Sequence, residues 1–335
     1  MLYLDRALPI LAPTIQLSEE PARLGGGGFG QLTTLPLLLR FAARCAGRRI
    51  EVAHINVAPR GSTLRKMAFA AVARAWRVPV ILHLHGSGYD DFYGALSATA
   101  QHRVRAFFAA AARTVVLSAH WRRFALDQLG LDPGRVVVIG NGVQEPAGAP
   151  DQPRGDIPTI LFAGEIGVRK GVPVLLDALA LLKQNAVPFL AVLAGNGAIA
   201  EARRRSQGLG LDSHVSFPGW VDEAQLAALL RSASLFVLPS LAENQPVSII
   251  EAMAHSRPVV STTVGAIPEQ VVDGVTGLLV PPGDPTALAA ALARLLACER
   301  LRSRFGDAGH ARFRAHFTIA RQAQQFARLY REVAL

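Results

Sequence analysis

The sequence predicts an α/β fold with two domains, each built around a parallel sheet. The chain has 335 residues, of which 50% are hydrophobic, so it is long enough to bury two hydrophobic cores. Short runs rich in β-branched residues alternate along it with longer patterns of helical periodicity. This alternation is typical of βα units, and successive βα units form parallel sheets.

Each half of the chain has its own series of strand patterns. Those of the first half are Glu51–Val57, Pro79–His83, Thr114–Leu117 and Val136–Ile139. Those of the second half are Thr159–Ala163, Phe189–Leu193, Val215–Phe217, Leu235–Leu238, Pro258–Ser261 and Gly277–Val280. The helical patterns between them include Thr63–Trp76, Arg103–Ala112, Val174–Gln184, Ala224–Arg231, Ile249–His255 and Pro285–Ala297.

A segment with the composition of a linker separates the two series. Residues 141–158 contain four prolines and three glycines, and such a composition interrupts regular structure. We therefore expect one domain over residues 1–145 and a second over residues 146–310. The tail is rich in Arg, Phe and Ala, and we expect its last helix, 311–335, to return to the first domain.

The charge balance favours anionic partners. The formal net charge of +10 comes from 35 Lys and Arg against 25 Asp and Glu; the alternative to a binding role is a set of solvated helix faces. The two cysteines lie far apart, and no cluster of ligands indicates a metal site. No apolar run reaches the ~18 residues that span a bilayer, and the amino terminus lacks a basic start. We expect a cytoplasmic protein with peripheral contact to the inner membrane face.

The segment after the strand pattern Thr159–Ala163 has the features of an anion site. Its glycines, beginning with Gly164, let the backbone turn sharply at the carboxyl end of a strand, where parallel sheets bind ligands. Arg169 and Lys170 add positive charge just before the next helix, whose first amides already favour anions. A diphosphate suits this arrangement, and a surface turn with solvated basic residues is the alternative.

The segment Pro239–His255 also follows a strand pattern and leads into a helix. Glu243 lies in its loop, and Glu251 follows eight positions later in the helix. Carboxylates accept hydrogen bonds from vicinal hydroxyls, so a sugar and a ribose are sensible ligands. For Glu251 the alternative is a capping box, with Ser248 as the N-cap residue. The loop between the two acids supplies amides for phosphate and consists of Asn244, Gln245, Pro246 and Val247.

Positive charge follows the first strand pattern, Glu51–Val57. Arg60 and Arg65 lie at or near the carboxyl end of this strand, where they suit an anionic acceptor. Ser62 lies between them and can cap the next helix. A solvated helix start is the alternative explanation for this cluster.

Histidines mark the end of the second strand pattern, Pro79–His83. The alternation of a strand places His83 and His85 on the same face, and His85 directly precedes a glycine turn. A lone histidine is usually structural, but this position favours a functional role for His85. Asp90 follows a few residues later as a candidate for orienting the hydroxyls of an acceptor.

Several motifs together resemble those of glycosyltransferase family 4. They are Asn141-Gly142-Val143, Gly164 with Lys170-Gly171, Glu243-x7-Glu251 with Ala252-Met253-Ala254 and Pro258-Val259-Val260, and Gly265-x-x-Pro268-Glu269 with Thr276-Gly277. Their order and spacing match over residues 136–297. The resemblance implies a GT-B fold, in which two Rossmann-like domains face each other across a cleft, and metal-independent, retaining transfer of a sugar.

The resemblance also implies the roles of individual residues. The substrate is a nucleotide-diphospho-sugar, linked to UDP or GDP, and no cofactor is needed. Lys170 neutralises the diphosphate, Glu243 holds hydroxyls of the donor sugar and Glu251 binds the ribose, while His85 contacts the donor sugar or the acceptor. The stretch Arg60–Tyr93 is similar to bacterial exopolysaccharide and capsule transferases, which implies a glycan or lipid-linked acceptor rather than a nucleic acid.

The sequence departs from the family pattern in two places. Family members usually carry Arg directly after the glycine that corresponds to Gly164, whereas this chain has Glu165. A carboxylate beside a diphosphate is repulsive, and Arg169 can supply the missing charge instead. Near the amino terminus, the glycine run Gly25–Gly30 follows no clear strand; it cradles phosphate or forms a flexible loop, and we favour the loop.

The leading hypothesis is a glycosyltransferase that adds a hexose to a growing polysaccharide. One alternative is a nucleotide-sugar epimerase on the same fold, which would convert the donor without an acceptor. Another is a degenerate, non-catalytic protein that binds sugar nucleotides, for which Glu165 and the unusual amino terminus are the support.

Overall fold

The computed structural model describes residues 34–146 and 157–334, which form two compact units. The first unit comprises described residues up to Asn141 together with Ala320 onward, and the second extends from Gly142 to Ile319. The glycine run Gly25–Gly30 and the middle of the linker pattern lie outside the described residues. No helix among those described is long and apolar enough to cross a bilayer.

The first unit contains a four-stranded parallel sheet. Its strands pair in chain order and are β1 (Ala53–Val57), β2 (Val80–Leu84), β3 (Arg113–Val116) and β4 (Val136–Val138). The helices that connect or precede them are α1 (Thr34–Ala46), α2 (Gly61–Ala75), α3 (Tyr89–Gly94), α4 (Ala98–Ala109) and α5 (Ala119–Asp127). Every residue of β2 is buried, as expected for a central strand covered on both faces.

The second unit contains a six-stranded parallel sheet. Its strands are β5 (Thr159–Ala163), β6 (Leu190–Ala194), β7 (Val215–Gly219), β8 (Leu235–Leu238), β9 (Val259–Thr262) and β10 (Gly277–Val280). Its helices are α6 (Val172–Gln184), α7 (Ile199–Gly208), α8 (Glu223–Ser232), α9 (Val247–Ala254), α10 (Ile267–Gln270), α11 (Pro285–Leu296) and α12 (Glu299–His316). The spatial order of the strands is β10-β9-β8-β5-β6-β7.

This strand order reverses direction between β5 and β8. From β5 the chain first builds outward through β6 and β7, and then crosses back to continue on the other side of β5 with β8, β9 and β10. A doubly wound sheet of this order has a crevice outside the carboxyl ends of the two strands at the reversal, where ligands bind. The second unit is therefore Rossmann-like, with its switch point between β5 and β8.

The last helix of the chain, α13 (Ile319–Ala334), completes the core of the first unit. One sheet face packs on α1 to α5 through residues such as Ile55 and Leu82. The opposite face packs on α13, where Ile81 and Val115 contact a cluster that includes Phe326. A helix with one apolar face thus covers a sheet that lies far from it in sequence.

The predicted parallel-sheet α/β architecture is confirmed. Each of the ten predicted strand patterns overlaps an observed parallel strand. Several observed helices, namely α1, α3, α5, α7 and α10, lie outside the helical patterns named above. In α7 the sequence is rich in charge, and only Ala202 and Ser206 are buried.

Candidate functional site

The sheet of the second unit brings two predicted site segments together. Strands β5 and β8 are neighbours, with Ile160 beside Leu235 and Leu161 beside Phe236. Because the strands are parallel, the loops that follow them leave the sheet at the same edge. The loop 164–171 and the loop 239–246, 68 or more residues apart in sequence, therefore lie side by side at the switch point.

Backbone contacts fix these two loops against each other. The Leu241 amide donates to the Arg169 carbonyl at 2.8 Å. Gly171 ends the first loop with φ of 73°, in the left-handed region that favours glycine, and it is the N-cap residue of α6. Arg169 and Lys170 are thereby held at the start of this helix.

Lys170 and Glu243 form the central contact of the site. The Lys170 Nζ donates to Glu243 Oε1 at 2.5 Å, and the Ser240 hydroxyl donates to the same oxygen at 2.8 Å. The Lys170 side chain is 14% exposed and that of Glu243 is 6% exposed. Burial of an ion pair this deeply costs free energy, because both charges lose hydration. Stability alone therefore does not explain the presence of this pair.

A second, more exposed ion pair lies beside the first. Arg169 Nη2 donates to Glu165 Oε2 at 2.9 Å, and Arg169 Nη1 lies 4.0 Å from Glu243 Oε1. The side chains of Arg169 and Glu165 are 44% and 59% exposed. Two cations and two carboxylates therefore alternate across the switch point, and Glu165 turns toward Arg169.

The loop after Glu243 is held by the segment that follows β9. The Ala266 amide donates to the Asn244 carbonyl at 2.9 Å, and the buried Gln270 side chain donates to the Pro246 carbonyl at 3.0 Å. Gly265 has φ of 55°, and a side chain there would collide with the Glu243 carbonyl. The amides of this loop are therefore presented in a fixed arrangement. Residues 244–246 lie between Glu243 and α9, whereas Val247, which was predicted as a loop residue, is the first residue of α9.

Glu251 lies in α9, but not in the alternative capping box. The helix begins at Val247 with Pro246 as its N-cap residue, and no side chain caps it. Ser248 is therefore already inside the helix, so that explanation of Glu251 is wrong.

Gly164 lies at the end of β5, where its amide donates to the Ala194 carbonyl at 3.0 Å.

The acceptor-side candidates all lie in the first unit, at the carboxyl ends of β1 and β2. Arg60 is the N-cap residue of α2, with φ of 62° and no capping side chain, a conformation that is strained for a residue with a Cβ. The expected cap by Ser62 is wrong, because α2 begins at Gly61 and Ser62 is within its first turn. Arg65 follows in the same helix, and Asp90 is exposed in α3.

His85 follows β2 and lies on the same face as His83, as the strand alternation predicted, with the two rings in contact at an interplanar angle of 43°. Their ring centroids are 3.9 Å apart, and the His85 amide donates to the Val57 carbonyl at 3.0 Å. Burial lowers the pKa of the His85 imidazole to about 4, because removal from water disfavours the charged ring. At neutral pH His85 is therefore uncharged and offers one donor and one acceptor nitrogen.

Two family models match the two halves of the chain. One, described as "Glycosyl transferase 4-like domain", matches residues 8–142, and the other, described as "Glycosyl transferases group 1", matches residues 157–298. The chain belongs to glycosyltransferase family 4. The family 4 resemblance of the sequence motifs is thus confirmed.

Curated relatives and solved structures agree with the family 4 assignment. A phosphatidyl-myo-inositol mannosyltransferase from Mycobacterium leprae is 36% identical over 64% of this chain and 57% of its own. An alpha-D-kanosaminyltransferase from Streptomyces kanamyceticus is 30% identical over 54% of this chain and 47% of its own. The alignments thus span about half the length of these relatives.

Solved structures share the fold over most of this family 4 chain. A sucrose-phosphate synthase from Thermosynechococcus elongatus superposes with a TM-score of 0.76 at 26% identity, over 94% of this chain and 82% of its own. HepE from Anabaena, solved in complex with UDP, superposes with a TM-score of 0.74 at 22% identity, over 91% and 84%. The predicted GT-B fold class is confirmed.

Three polar residues of the family 4 chain that touch these sites were not predicted as site residues. Ser240 shares Glu243 with Lys170, and Gln270 holds the loop before α9. His54 of β1 hydrogen-bonds His83, whose ring contacts that of His85. Ser240 was detectable, since it is a polar residue two positions after a buried strand; the other two partners depend on contacts between segments distant in sequence.

Proposed function

We propose that the chain is a retaining glycosyltransferase that moves a hexose from a nucleotide-diphospho-sugar to a hydroxyl of a lipid-linked glycan. The observation that carries this proposal is the buried Lys170–Glu243 pair at the switch point of the second sheet. A cation, loop amides and a carboxylate converge there, and these groups suit a diphosphate with an attached sugar.

In this scheme the bond between the anomeric carbon and the diphosphate oxygen breaks, and the acceptor oxygen bonds to the same carbon. The acceptor oxygen attacks from the face that the phosphate leaves, so no protein nucleophile is required, and the acceptor proton passes to the departing phosphate, so no protein base is required. Negative charge grows on the phosphate oxygens, and Lys170, Arg169 and the loop amides stabilise it. The removal of one such preorganised donor typically slows a reaction by ~10²–10³.

Lys170 can serve the phosphate without releasing Glu243. An ammonium group has three donors, and Glu243 Oε1 occupies one of them at 2.5 Å. The remaining donors are available to a phosphate oxygen. Glu243 keeps its second carboxylate oxygen for hydroxyls of the donor sugar, while its Oε1 remains bound to Lys170 and Ser240.

The names of similar proteins support this substrate class and extend it. The mycobacterial relative acts on a phosphatidylinositol by its name, and HepE has been crystallised with UDP-glucose.

The donor nucleotide, UDP or GDP, is decided by a thermal-shift screen of nucleotide sugars, followed by an assay of nucleotide release with lipid-linked acceptors. A ligand present at 100 times its Kd stabilises a protein by about 2.7 kcal/mol. If no nucleotide sugar raises the Tm, the proposal fails.

The Glu165–Arg169 pair favours a second candidate, a protein that binds a nucleotide sugar without transferring it. Glu165 occupies Arg169, so the site presents less positive charge to a diphosphate. A nucleotide sugar that raises the Tm, without any nucleotide release in the presence of acceptors, would select this candidate. Conversion of the donor without an acceptor would instead indicate an epimerase.

We also propose that α1 contacts an anionic membrane surface, which would bring the chain to a lipid-linked acceptor. Leu35 and Leu39 lie on one side of α1 and are each 62% exposed, and the chain carries a net charge of +10. Exposed apolar groups near basic ones bind anionic interfaces. The protein should sediment with phosphatidylglycerol vesicles, and the Leu35→Ser/Leu39→Ser variant should not. Leu190→Ser, at an exposed leucine of the second unit, is the matched control.

A further inference from the structure

Three polar side chains form a hydrogen-bonded chain inside the first unit. His54 lies on β1, His83 on β2 and Tyr330 on α13. His54 Nε2 lies 3.0 Å from His83 Nδ1, and His54 Nδ1 lies 2.6 Å from the Tyr330 hydroxyl. The C-terminal helix is thereby linked through His54 to His83, whose ring lies against that of His85.

His54 and His83, the two histidines of this hydrogen-bonded chain, are neutral. His83 and Tyr330 are buried, and Phe326 packs on the rings of His54 and His83 with centroids 5.4 and 5.5 Å away. Burial lowers the pKa of His54 to about 3 and that of His83 well below its ordinary value. Each ring therefore carries a single N–H, and its position depends on the hydrogen bonds that the ring makes.

The Tyr330 hydroxyl determines where those protons lie. His54 is the hydrogen-bond partner of this hydroxyl. The hydroxyl proton therefore enters a hydrogen bond when Tyr330 donates it to His54 Nδ1. His54 must then carry its proton on Nε2 and donate it to His83 Nδ1. His83 consequently carries its own proton on Nε2, a buried atom without a partner among the described residues. If both hydrogen bonds ran the other way, with His83 donating to His54 and His54 donating to Tyr330, the proton of the Tyr330 hydroxyl would be left without this acceptor.

A purely structural role does not explain these groups. Ile81, Val115 and Ile139 also pack against α13, and all three are apolar. Buried polar groups cost free energy unless every partner is present, and His83 Nε2 has none in the part of the chain that the structure describes. Apolar residues of similar size would therefore satisfy packing better.

We propose that His54 and His83 are positioning residues for His85, and that the Tyr330 hydroxyl fixes their tautomers. His83 provides the surface on which the His85 ring rests, at a centroid distance of 3.9 Å. A fixed His83 ring limits the orientations of the His85 ring and of its two nitrogens. The proposal rests on the proposed function only in that His85 faces a substrate.

The first test needs no variant. Nitrogen-15 NMR of the labelled full-length protein distinguishes the two tautomers of each imidazole, and we expect the proton on Nε2 in both His54 and His83. A proton on Nδ1 of His83 would overturn the proposal, because Tyr330 would then not be the donor that orders the chain.

The second test compares Tyr330→Phe with Tyr93→Phe. Tyr93 is also buried in the first unit and its hydroxyl also makes hydrogen bonds, to the Gln128 carbonyl and from Arg105, but it contacts neither His54 nor His83. Tyr330→Phe should lower kcat about tenfold, as a misplaced group does, with the donor KM within twofold. Tyr93→Phe should change neither parameter. Equal losses in both variants would indicate a structural role and would overturn the proposal.

The two proposals can fail separately. If the unaltered protein transfers no sugar, the proposed function fails. The NMR signals of His85 still test whether His54 and His83 position its ring. Tyr330→Phe must then shift the ring signals of His85, and Tyr93→Phe must leave them in place. Unchanged His85 signals in Tyr330→Phe would overturn the positioning role.

Discussion

The backbones of Gly171 and Pro239 lie in direct contact at the switch point of the second sheet. A Cβ at Gly171 would lie 1.8 Å from the Pro239 carbonyl oxygen, a distance that no side chain tolerates. The start of α6 and the loop after β8 approach each other this closely because residue 171 lacks a side chain. The separation of Lys170 and Glu243 depends on the same approach.

Gly171→Ala should therefore destabilise the protein. The positive φ costs an alanine about 1–2 kcal/mol, and the clash adds about 1–3 kcal/mol. Urea unfolding should show the loss, and the variant should also bind nucleotide sugars poorly because the two loops move apart. Gly167→Ala, in the same loop with open space around the added methyl, is the control and should behave as the unaltered protein does.

Lys170→Ala should lower turnover by about 10²–10³. The variant removes a cation from the departing diphosphate and leaves the buried Glu243 with Ser240 and the more distant Arg169. Circular dichroism should show an intact fold. Lys183→Ala removes a lysine from the end of α6, where it donates to the Gly210 carbonyl, and should leave turnover unchanged.

Glu243→Ala should reduce turnover to a comparable degree, since it removes the proposed partner of the sugar hydroxyls. It also releases Lys170 from its ion pair, so the affinity for free nucleoside diphosphate should be retained. Calorimetry with UDP and GDP separates the two effects. Near-normal transfer rates in both Lys170→Ala and Glu243→Ala would contradict the proposed site.

Glu165→Gln should raise the affinity for the donor. The change frees Arg169 from a carboxylate at 2.9 Å and removes a charge that repels the diphosphate. An exposed ion pair is worth up to about 1 kcal/mol, so the donor KM should fall up to about fivefold. Asp177→Asn, which neutralises the partner of Arg205 on the surface of α6, provides a matched change of charge. An unchanged or higher KM in Glu165→Gln would show that Glu165 does not compete with the donor.

The stability of the protein should fall as the pH falls below about 6.5. The pKa of His54 is lowered to about 3 and that of His85 to about 4, so between these values and the unfolded pKa the unfolded chain binds more protons. Each such histidine lowers the free energy of unfolding by about 1.4 kcal/mol per pH unit in that range. Urea midpoints at pH 7.5 and pH 5.0 measure the difference.

Two histidine variants identify the source of this pH dependence. His83→Leu should flatten it, because one buried imidazole is removed. His102→Gln changes an exposed histidine of α4 and should leave it as it is. A pH dependence that is the same in all three proteins would exclude the buried histidines as its cause.

The strands and the two central loops were predictable because most strands are short apolar runs that end close to a glycine or a proline. The adjacency of β5 and β8 was not readable from local patterns, since two complete βα units intervene. It followed from the family 4 motifs at Gly164, Lys170 and Glu243, which belong to a known order of strands.

Helix starts were predicted less well than helices. Ser62 and Ser248 have the residue type of an N-cap, yet Arg60 and Pro246 take that position. Local preference is outweighed here by tertiary contacts, such as the hydrogen bond from Gln270 to Pro246. The bond between His54 and Tyr330 spans 276 positions, and no periodicity in the sequence announces it.

The return of α13 to the first unit has a consequence for biosynthesis. During translation the face of the first sheet that carries Ile81 and Val115 stays uncovered while more than two hundred further residues are made. The amino-terminal half therefore cannot mature on the ribosome ahead of the rest. A ribosome that stalls before Phe326 leaves a nascent chain whose core is incomplete and exposes apolar surface. Such a chain is a substrate for chaperones and proteases.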